Sequence, residues 1–203
     1  MAAKRRAVEA KVGYHHGNLK EALLAATLQV LEEGGPSAVT LREVARRAGV
    51  SHAAPYRHYA DLDALLADVA EEGFRGLTRE MRTRMDAESA PGDKLRATGI
   101  GYVAYAVKNT ARFRLMFGPQ VADPRRHPGL HAASEEAFQV LVEAVQKAQA
   151  ANVFPPGDVL KSAVSAWAMV HGLAMLYVDG QLDMRGIAKK DAEKFAAEML
   201  SFR

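Results

Sequence analysis

The segment from Thr40 to Tyr59 constrains the fold of this chain more than any other, because it has the pattern of two short helices joined by a tight turn. Its apolar residues recur at helical spacing, and Thr40 and Glu43 stand at the spacing of a capping box. Gly49 follows the last periodic residue, where a glycine closes a helix in the left-handed conformation, and Ser51 is placed to cap a second helix. The pattern predicts a helix-turn-helix, a motif whose second helix enters the major groove of DNA.

The distribution of charge gives modest support to contact with phosphates. Residues 1–60 hold nine lysines and arginines against five glutamates, whereas the whole chain has a formal net charge of +3, which leaves about −1 for residues 61–203. A basic first part on a near-neutral remainder is typical of a protein whose N-terminal part meets nucleic acid. A soluble protein with an ordinarily basic surface could have the same small excess of positive charge. Charge alone therefore does not identify a nucleic-acid-binding protein.

Composition indicates a soluble protein of the cytoplasm. With 203 residues, of which 49% are hydrophobic, the chain has ample apolar surface for a core. It has no cysteine, which excludes disulfides, thiolate nucleophiles and cysteine zinc sites and agrees with a reducing compartment. The longest apolar run, residues 163–178, is interrupted by polar residues and glycine and is shorter than the roughly 20 residues of a membrane span. We therefore expect no membrane association.

The sequence lacks the signatures of common enzymes. It has no G-x-S-x-G elbow, no glycine-rich phosphate loop and no H-E-x-x-H motif. His127 and His131 are four residues apart, but Pro128 and Gly129 between them break the helix that would direct both at one metal ion. We expect neither a catalytic residue nor a metal or other cofactor.

Helical periodicity runs through the whole chain, without the period-two runs of β-branched residues that strands require. Asn18 and Glu21 form a capping-box pair for a first helix, and Asp61 caps a long helix that runs toward Met85. Further helices are predicted at about 93–109, 111–117, 130–150, 158–179 and 191–201. We therefore predict an all-α protein with three parts: a basic N-terminal arm (1–17), a helix-turn-helix DNA-binding domain (18–62) and a helical body for effector binding and dimerisation (63–203).

The helix-turn-helix resembles that of the TetR family of transcriptional regulators, through Ala45, Gly49, Val50, Ser51, Tyr56 and Tyr59. The resemblance covers residues 18–70 with high specificity and continues more weakly into the body. There Trp167, His171 and Gly172 resemble the Trp/His-Gly signature of one subgroup, and residues 14–19 resemble the entry to its first helix. In the family, the terminal helices build a two-fold dimer by forming a four-helix bundle, which implies a homodimer here.

The candidate DNA contacts follow from the position of each residue in the motif. The first turn of the second helix faces base edges, where alanine methyls pack on thymine and His52 bonds to a base or phosphate. The resemblance assigns Tyr56 and His58 to phosphates, and the N-terminus of the preceding helix attracts the same anions. Tyr59 is expected in the core, and Arg46 and Arg47 on a solvated face. The expected contacts are Thr40, Arg42, Ser51, His52, Ala53, Ala54, Tyr56, Arg57 and His58.

Two residues depart from the family pattern. Pro55 stands inside the second helix, where it removes a backbone hydrogen bond, so we expect a loose or 3₁₀ first turn. Leu62 replaces a lysine common at the start of the next helix, so one phosphate contact is missing, and Asp61 and Asp63 make compensation there improbable.

Aromatic and methionine residues of the body are typical of a mostly apolar ligand pocket. For any single one of them, ordinary core packing is the simpler reading, and the polar atoms of the tyrosines and His171 are the most informative because they need partners when buried. The candidate ligand-binding residues are Tyr102, Tyr105, Phe113, Met116, Phe117, Phe138, Trp167, His171 and Met175.

Together these features predict a homodimeric repressor that binds a near-palindromic site on double-stranded DNA and is released by a small, largely apolar effector. Two heads spaced by about 34 to 36 Å would read successive major grooves. The competing interpretation is a DNA-binding protein without an effector, whose body would be fully packed.

Overall fold

The computed structural model describes residues 19–121 and 123–201. Within these ranges the secondary structure consists of α-helices and short 3₁₀ turns, without a strand, which confirms the all-α prediction. The helices are α1 (Leu19–Gly34), α2 (Leu41–Arg47), α3 (Leu62–Asp86), α4 (Pro91–Lys108), α5 (Thr110–Met116), α6 (Pro128–Ala150), α7 (Val159–Val178) and α8 (Ala192–Met199). The predicted arm (1–17) and the predicted cap Asn18 lie outside the described residues.

Two of the caps that the sequence predicts around the helix-turn-helix are present, but Ser51 caps no helix, because the next helical turn begins at Pro55 with Ala54 as its cap residue and no side-chain cap hydrogen bond. Thr40 Oγ1 accepts a hydrogen bond from the backbone N–H of Glu43 at 3.1 Å, and Asp61 Oδ1 accepts one from Ala64 at 2.8 Å. Gly49 has a φ of +69°, the left-handed conformation that an L-residue adopts only at a steric cost. The sequence therefore specified where α2 begins and ends and where α3 begins.

The second helix of the motif differs from the prediction. Residues 51–54 form a turn, and only Pro55–Arg57 is helical, as a single 3₁₀ turn. Because proline has no N–H to offer the Ser51 carbonyl, that carbonyl accepts from Ala54 instead, at 2.9 Å. We call residues 51–59, which stand in place of the second helix of the motif, the reading segment. The prediction of a loose first turn underestimated the change, because no part of this segment is an α-helix.

Hydrogen bonds fasten the reading segment to the helices around it. Tyr59 is 5% exposed, as expected for a core residue, and its hydroxyl donates to Asp68 Oδ2 on α3 at 2.6 Å. Lys20 of α1 pairs with the same carboxylate oxygen at 2.9 Å. Burial raises the pKa of the Tyr59 hydroxyl, which therefore stays protonated and donates. The aspartate joins α1, the reading segment and α3 at one point.

The body is built around α3 and α4. The long helix α3 packs against α4, α5 and α6, and α4 also contacts α7 and α8. A salt bridge of 2.8 Å between Arg84 and Glu193 joins α3 to α8. Because α3 is continuous from Leu62 to Asp86, the expected division between residues 62 and 63 falls inside the first turn of one rigid helix.

The outer face of α7 is apolar and exposed. By length and composition, α7 is the one helix in the described part of the chain that would suffice to cross a membrane. Its inner face is buried in the body, but Leu160, Val164, Met169 and Leu176 are each at least 40% exposed. An apolar stripe on a helix that is otherwise packed in a core is typical of a protein–protein interface.

We predict that Tyr59→Phe lowers the free energy of unfolding by about 1–2 kcal/mol, because it removes a hydrogen bond to a charged acceptor. Tyr56→Phe is the matched control, since Tyr56 is 62% exposed and its hydroxyl has no such partner among the described residues. Urea denaturation followed by circular dichroism measures both changes. Equal stability of Tyr59→Phe and the unmodified protein would contradict the role given to the Tyr59–Asp68 contact.

Candidate functional site

The candidate DNA contacts form an exposed surface at one end of the molecule. Eight of the nine are exposed, on the N-terminus of α2 and along residues 51–58. Ala54 is the exception and corrects the prediction, because it is 8% exposed and belongs to the hydrophobic core. Ala54 and Pro55 are buried while Ala53 and Tyr56 are exposed, so Ala54 is removed from the set that a groove would meet.

Two of the four arginines near the candidate DNA-binding surface, Arg46 and Arg47, form ion pairs within the protein. Arg47 forms hydrogen bonds of 2.6 Å to both carboxylate oxygens of Glu33 on α1, and Arg46 pairs with Glu43 at 2.7 Å. Hydrogen bonds from Arg46 and Arg47 lower the pKa of Glu43 to about 2. The prediction of a solvated face therefore fits Arg46, which remains exposed, but Arg47 holds α2 against α1.

Arg42 and Arg57, by contrast, form no ion pair with any described residue and are exposed. Their guanidinium groups are available to an anion such as a DNA phosphate. At the start of α3, Asp63 pairs with Arg126 at 3.3 Å and with His127 at 3.2 Å, so part of its negative charge is neutralised within the protein.

A cavity of about 630 Å³ that is partly open to the surface lies in the body. It is bounded by α3, α4, α6 and α7 and by the segment that follows α5. Most of its lining is apolar, and the residues are Phe74, Leu77, Met81, Thr98, Gly99, Tyr102, Met116, Phe117, Gly118, Pro119, Val121, Ser134, Glu135, Ala137, Phe138, Leu141, Val164, Trp167 and Val170. Such a volume is within the range of small-molecule sites.

Five of the nine candidate ligand residues line this cavity: Tyr102, Met116, Phe117, Phe138 and Trp167. Phe113 and His171 stand directly behind the lining, where their rings contact Tyr102 and Phe117. Tyr105 and Met175 are absent from the lining, which corrects the prediction. Tyr105 is three residues beyond Tyr102 on α4 and faces a separate groove. Met175 packs partly buried against the core, two turns beyond Trp167 on α7.

The polar atoms of the aromatic cluster satisfy one another. Trp167 Nε1 donates to Tyr102 Oη at 3.2 Å, and Tyr102 Oη is 2.8 Å from His171 Nδ1. Burial lowers the pKa of His171 and so favours the neutral imidazole; in the tautomer that carries its proton on Nε2, the tyrosine hydroxyl donates to Nδ1. Burial also raises the pKa of Tyr102, opposed by the hydrogen bond from Trp167.

The remaining polar lining is also paired where it is buried. Thr98 Oγ1 donates to the Lys94 carbonyl at 2.8 Å, and Ser134 Oγ donates to the His131 carbonyl at 2.8 Å. The cavity therefore offers an occupant apolar surface and few unsatisfied hydrogen-bonding groups, which favours an apolar ligand.

The sequence interpretation missed the contribution of α3 to the cavity. Phe74, Leu77 and Met81 lie at i, i+3 and i+7 on this helix, the spacing of one helical face. That periodicity was visible in the sequence, but it did not distinguish a cavity wall from ordinary core. The sequence interpretation also missed Gly99 on α4. A Cβ at this position would come within 2.7 Å of the Leu200 side chain, so the glycine leaves room for the C-terminal end of α8.

Comparison with known proteins gives matches over both parts of the chain. The model of bacterial regulatory proteins of the tetR family matches residues 23–69, and the model of the tetracyclin repressor-like C-terminal domain matches residues 95–202. An uncharacterized HTH-type transcriptional regulator of Haemophilus influenzae is 34% identical over 95 residues. That match spans 45% of this chain and 45%, about half, of the length of that relative.

Solved structures share the fold over nearly the whole length. A protein with unknown function from Rhodococcus sp. RHA1 is 34% identical, with a TM-score of 0.79 over 94% of this chain and 97% of its own. The transcriptional regulator FadR from Bacillus subtilis, solved in complex with stearoyl-CoA, is 13% identical, with a TM-score of 0.70 over 89% of this chain and 96% of its own. At that identity the second likeness is one of fold.

Proposed function

The chain belongs to the TetR family of bacterial transcriptional regulators, and on that premise we propose that it is a homodimeric repressor released from its operator by a small, largely apolar ligand. It is a DNA-binding transcription factor and not an enzyme. The observation that carries the ligand response is the apolar cavity of about 630 Å³ in the body. A body of this size without an effector would be expected to pack fully.

The helix α3 provides the mechanical link in this proposal. It begins at Leu62, shortly after the reading segment, with Asp61 as its N-cap, and its residues Phe74, Leu77 and Met81 form one wall of the cavity. A ligand that displaces this wall therefore tilts the helix to which Tyr59 is hydrogen-bonded. The required coupling between ligand and operator is modest, typically about 1–3 kcal/mol. Residues 18–62 then act as the DNA-binding domain and 63–203 as the effector and dimer domain, with α3 shared by both.

The DNA contacts divide into phosphate and base contacts. Thr40, Arg42, Tyr56, Arg57 and His58 would position the protein on the backbone, whereas Ser51, His52 and Ala53 would meet base edges. The target would be a near-palindromic site on double-stranded DNA, with one half-site for each protomer. The regulator would act in the cytoplasm.

For the DNA surface, we expect Tyr56→Phe to weaken binding by a similar factor on every sequence, because a phosphate contact carries no base information. His52→Ala should instead change the preferred base at particular positions, with about 1–3 kcal/mol of discrimination lost there. Selection of bound sites from random DNA with each variant measures both effects. Indistinguishable base preferences of His52→Ala and the unmodified protein would refute the role of His52.

For the cavity, we expect Ala137→Phe to fill the space and abolish ligand binding while the protein remains folded. Ala137 is 6% exposed and lines the cavity, and Ala132→Phe on the exposed face of the same helix is the control. Trp167 is the only tryptophan of the chain and lines the cavity, so its fluorescence reports occupancy. The probe is 1-decanol, a straight apolar chain with one hydroxyl.

The unmodified protein and Ala132→Phe should show saturable changes in Trp167 emission with 1-decanol, and Ala137→Phe should show none. Failure of the unmodified protein and of Ala132→Phe to respond to 1-decanol or to other apolar compounds would favour the competing function, a DNA-binding protein without an effector.

The dimer is proposed from the exposed stripe on α7. Leu160, Val164, Gly172 and Leu176 lie on one i±4n ridge that crosses the exposed face of α7 obliquely, and a Cβ at Gly172 would meet no atom within 4 Å. Such a stripe with a small residue allows the close approach of a second copy of the helix. Met199 on α8 is 53% exposed and extends the apolar surface.

We predict that Leu176→Arg converts the dimer to a monomer, because it places a charge in the proposed apolar interface. Met184→Arg is the control, since Met184 is 72% exposed but lies on the 3₁₀ turn after α7. Sedimentation analysis gives the mass of each variant. A dimeric Leu176→Arg protein would place the dimer interface elsewhere.

A further inference from the structure

A second groove, of about 620 Å³, lies between the middle of α3, the C-terminal half of α4 and the turn Lys189–Asp191 that precedes α8. It shares no lining residue with the apolar cavity. Its lining is polar and charged, and no step of the proposed repressor mechanism uses it.

The groove carries an excess of positive charge. Six cationic side chains line it, against the two carboxylates of Glu80 and Glu193. Arg84 is paired with both of these carboxylates, at 2.7 and 2.8 Å, and Lys189 Nζ donates to Thr110 Oγ1 at 2.6 Å. The other four cations form no ion pair with any residue that the structure describes; these are Arg79, Lys108, Arg112 and Lys190.

Two buried polar atoms in the groove also have no hydrogen-bond partner in the described part of the chain. They are Tyr105 Oη and Arg112 Nε. Tyr105 is 7% exposed, and a hydroxyl that is buried without a partner is rare in native proteins, because it loses its hydration without compensation. Both residues line the same groove, where a bound acceptor would supply a partner that the described residues themselves do not provide.

Glycines on α3 make room for these two side chains. A Cβ at Gly76 would stand 2.8 Å from Tyr105 Oη, and a Cβ at Gly73 would stand 3.2 Å from Arg112 Cδ. The absence of side chains at these positions allows the tyrosine and the arginine to lie directly on the helix. The floor of the groove is therefore built by the packing of three helices and is not a chance arrangement of surface lysines.

The hydroxyl of Tyr105 remains a donor at neutral pH. Burial raises its pKa, and that rise is opposed by the close approach of the Arg112 side chain as a hydrogen-bond donor and by the charges of Arg112 and Arg79. A protonated tyrosine beside unpaired guanidinium groups presents hydrogen-bond donors to the same space, which is suited to an anion with several acceptor oxygens.

We propose that this groove binds a small phosphate-bearing anion, with Tyr105 and Arg112 donating to its oxygens and Arg79, Lys108 and Lys190 neutralising its charge. Four unpaired cations exceed what a single carboxylate would balance, which favours phosphate. The depth of Tyr105 favours a small molecule over the backbone of a DNA duplex, because a rigid duplex cannot reach a side chain that is 7% exposed.

The probe is pyrophosphate, titrated by calorimetry into the full-length protein without DNA, at constant ionic strength set by potassium chloride. Saturable binding is expected. Tyr105→Phe and Arg79→Gln should each weaken it by roughly tenfold or more, since each removes a charge-assisted contact. Arg82→Gln is the matched control, because Arg82 lies on the same helix but pairs with Glu143 of α6 at 3.5 Å.

No saturable binding of pyrophosphate or inorganic phosphate would overturn the proposal. Equal weakening by Arg82→Gln would also overturn it, because the attraction would then be a diffuse effect of net charge. Citrate binding as tightly as pyrophosphate would contradict the assignment to phosphate. If Tyr105→Phe does not fold, as judged by circular dichroism, Arg79→Gln and Lys190→Gln decide the question. Since DNA is absent, none of these outcomes bears on operator binding or on the apolar ligand.

Discussion

The hydrogen bond between Tyr59 and Asp68 joins the reading segment to α3, and the position of the DNA-facing surface relative to the body depends on it. It fixes the end of the reading segment to the second turn of α3, and Lys20 brings α1 to the same carboxylate. From this point α3 continues without a break to the wall of the apolar cavity. Because α3 is one continuous helix, a displacement at the proposed ligand cavity moves the surface that is proposed to meet DNA.

The shape of the reading segment follows from one missing hydrogen-bond donor. Pro55 cannot bond to the carbonyl of Ser51, so the chain closes shorter turns and stays in 3₁₀ geometry through Arg57. Ala54 is 8% exposed and Tyr56 is 62% exposed, so these two side chains lie on opposite sides of the segment. Six of the eight residues 51–58 are exposed.

The two openings of the body differ in how their buried polar atoms are satisfied. In the apolar cavity, Tyr102, His171 and Trp167 bond to one another, so an occupant need only fill space and displace water. In the second groove, Tyr105 and Arg112 leave donors without partners among the described residues. One turn of α4 separates Tyr102 from Tyr105, and that turn places two tyrosines in sites with opposite chemical demands.

Local signals in the sequence determined the all-helical class, the bounds of most helices and the helix-turn-helix. Caps such as Thr40 and Asp61, the left-handed Gly49 and the apolar periodicity act within a few residues, so they can be read from one chain. Of the nine ligand residues that the sequence named, five line the cavity. Only the tertiary structure decided that Tyr105 faces away from the cavity, that Phe74 and Met81 line it and that Arg47 binds Glu33. These outcomes depend on which helix packs against which face, and contacts between residues distant in sequence leave no local pattern to read.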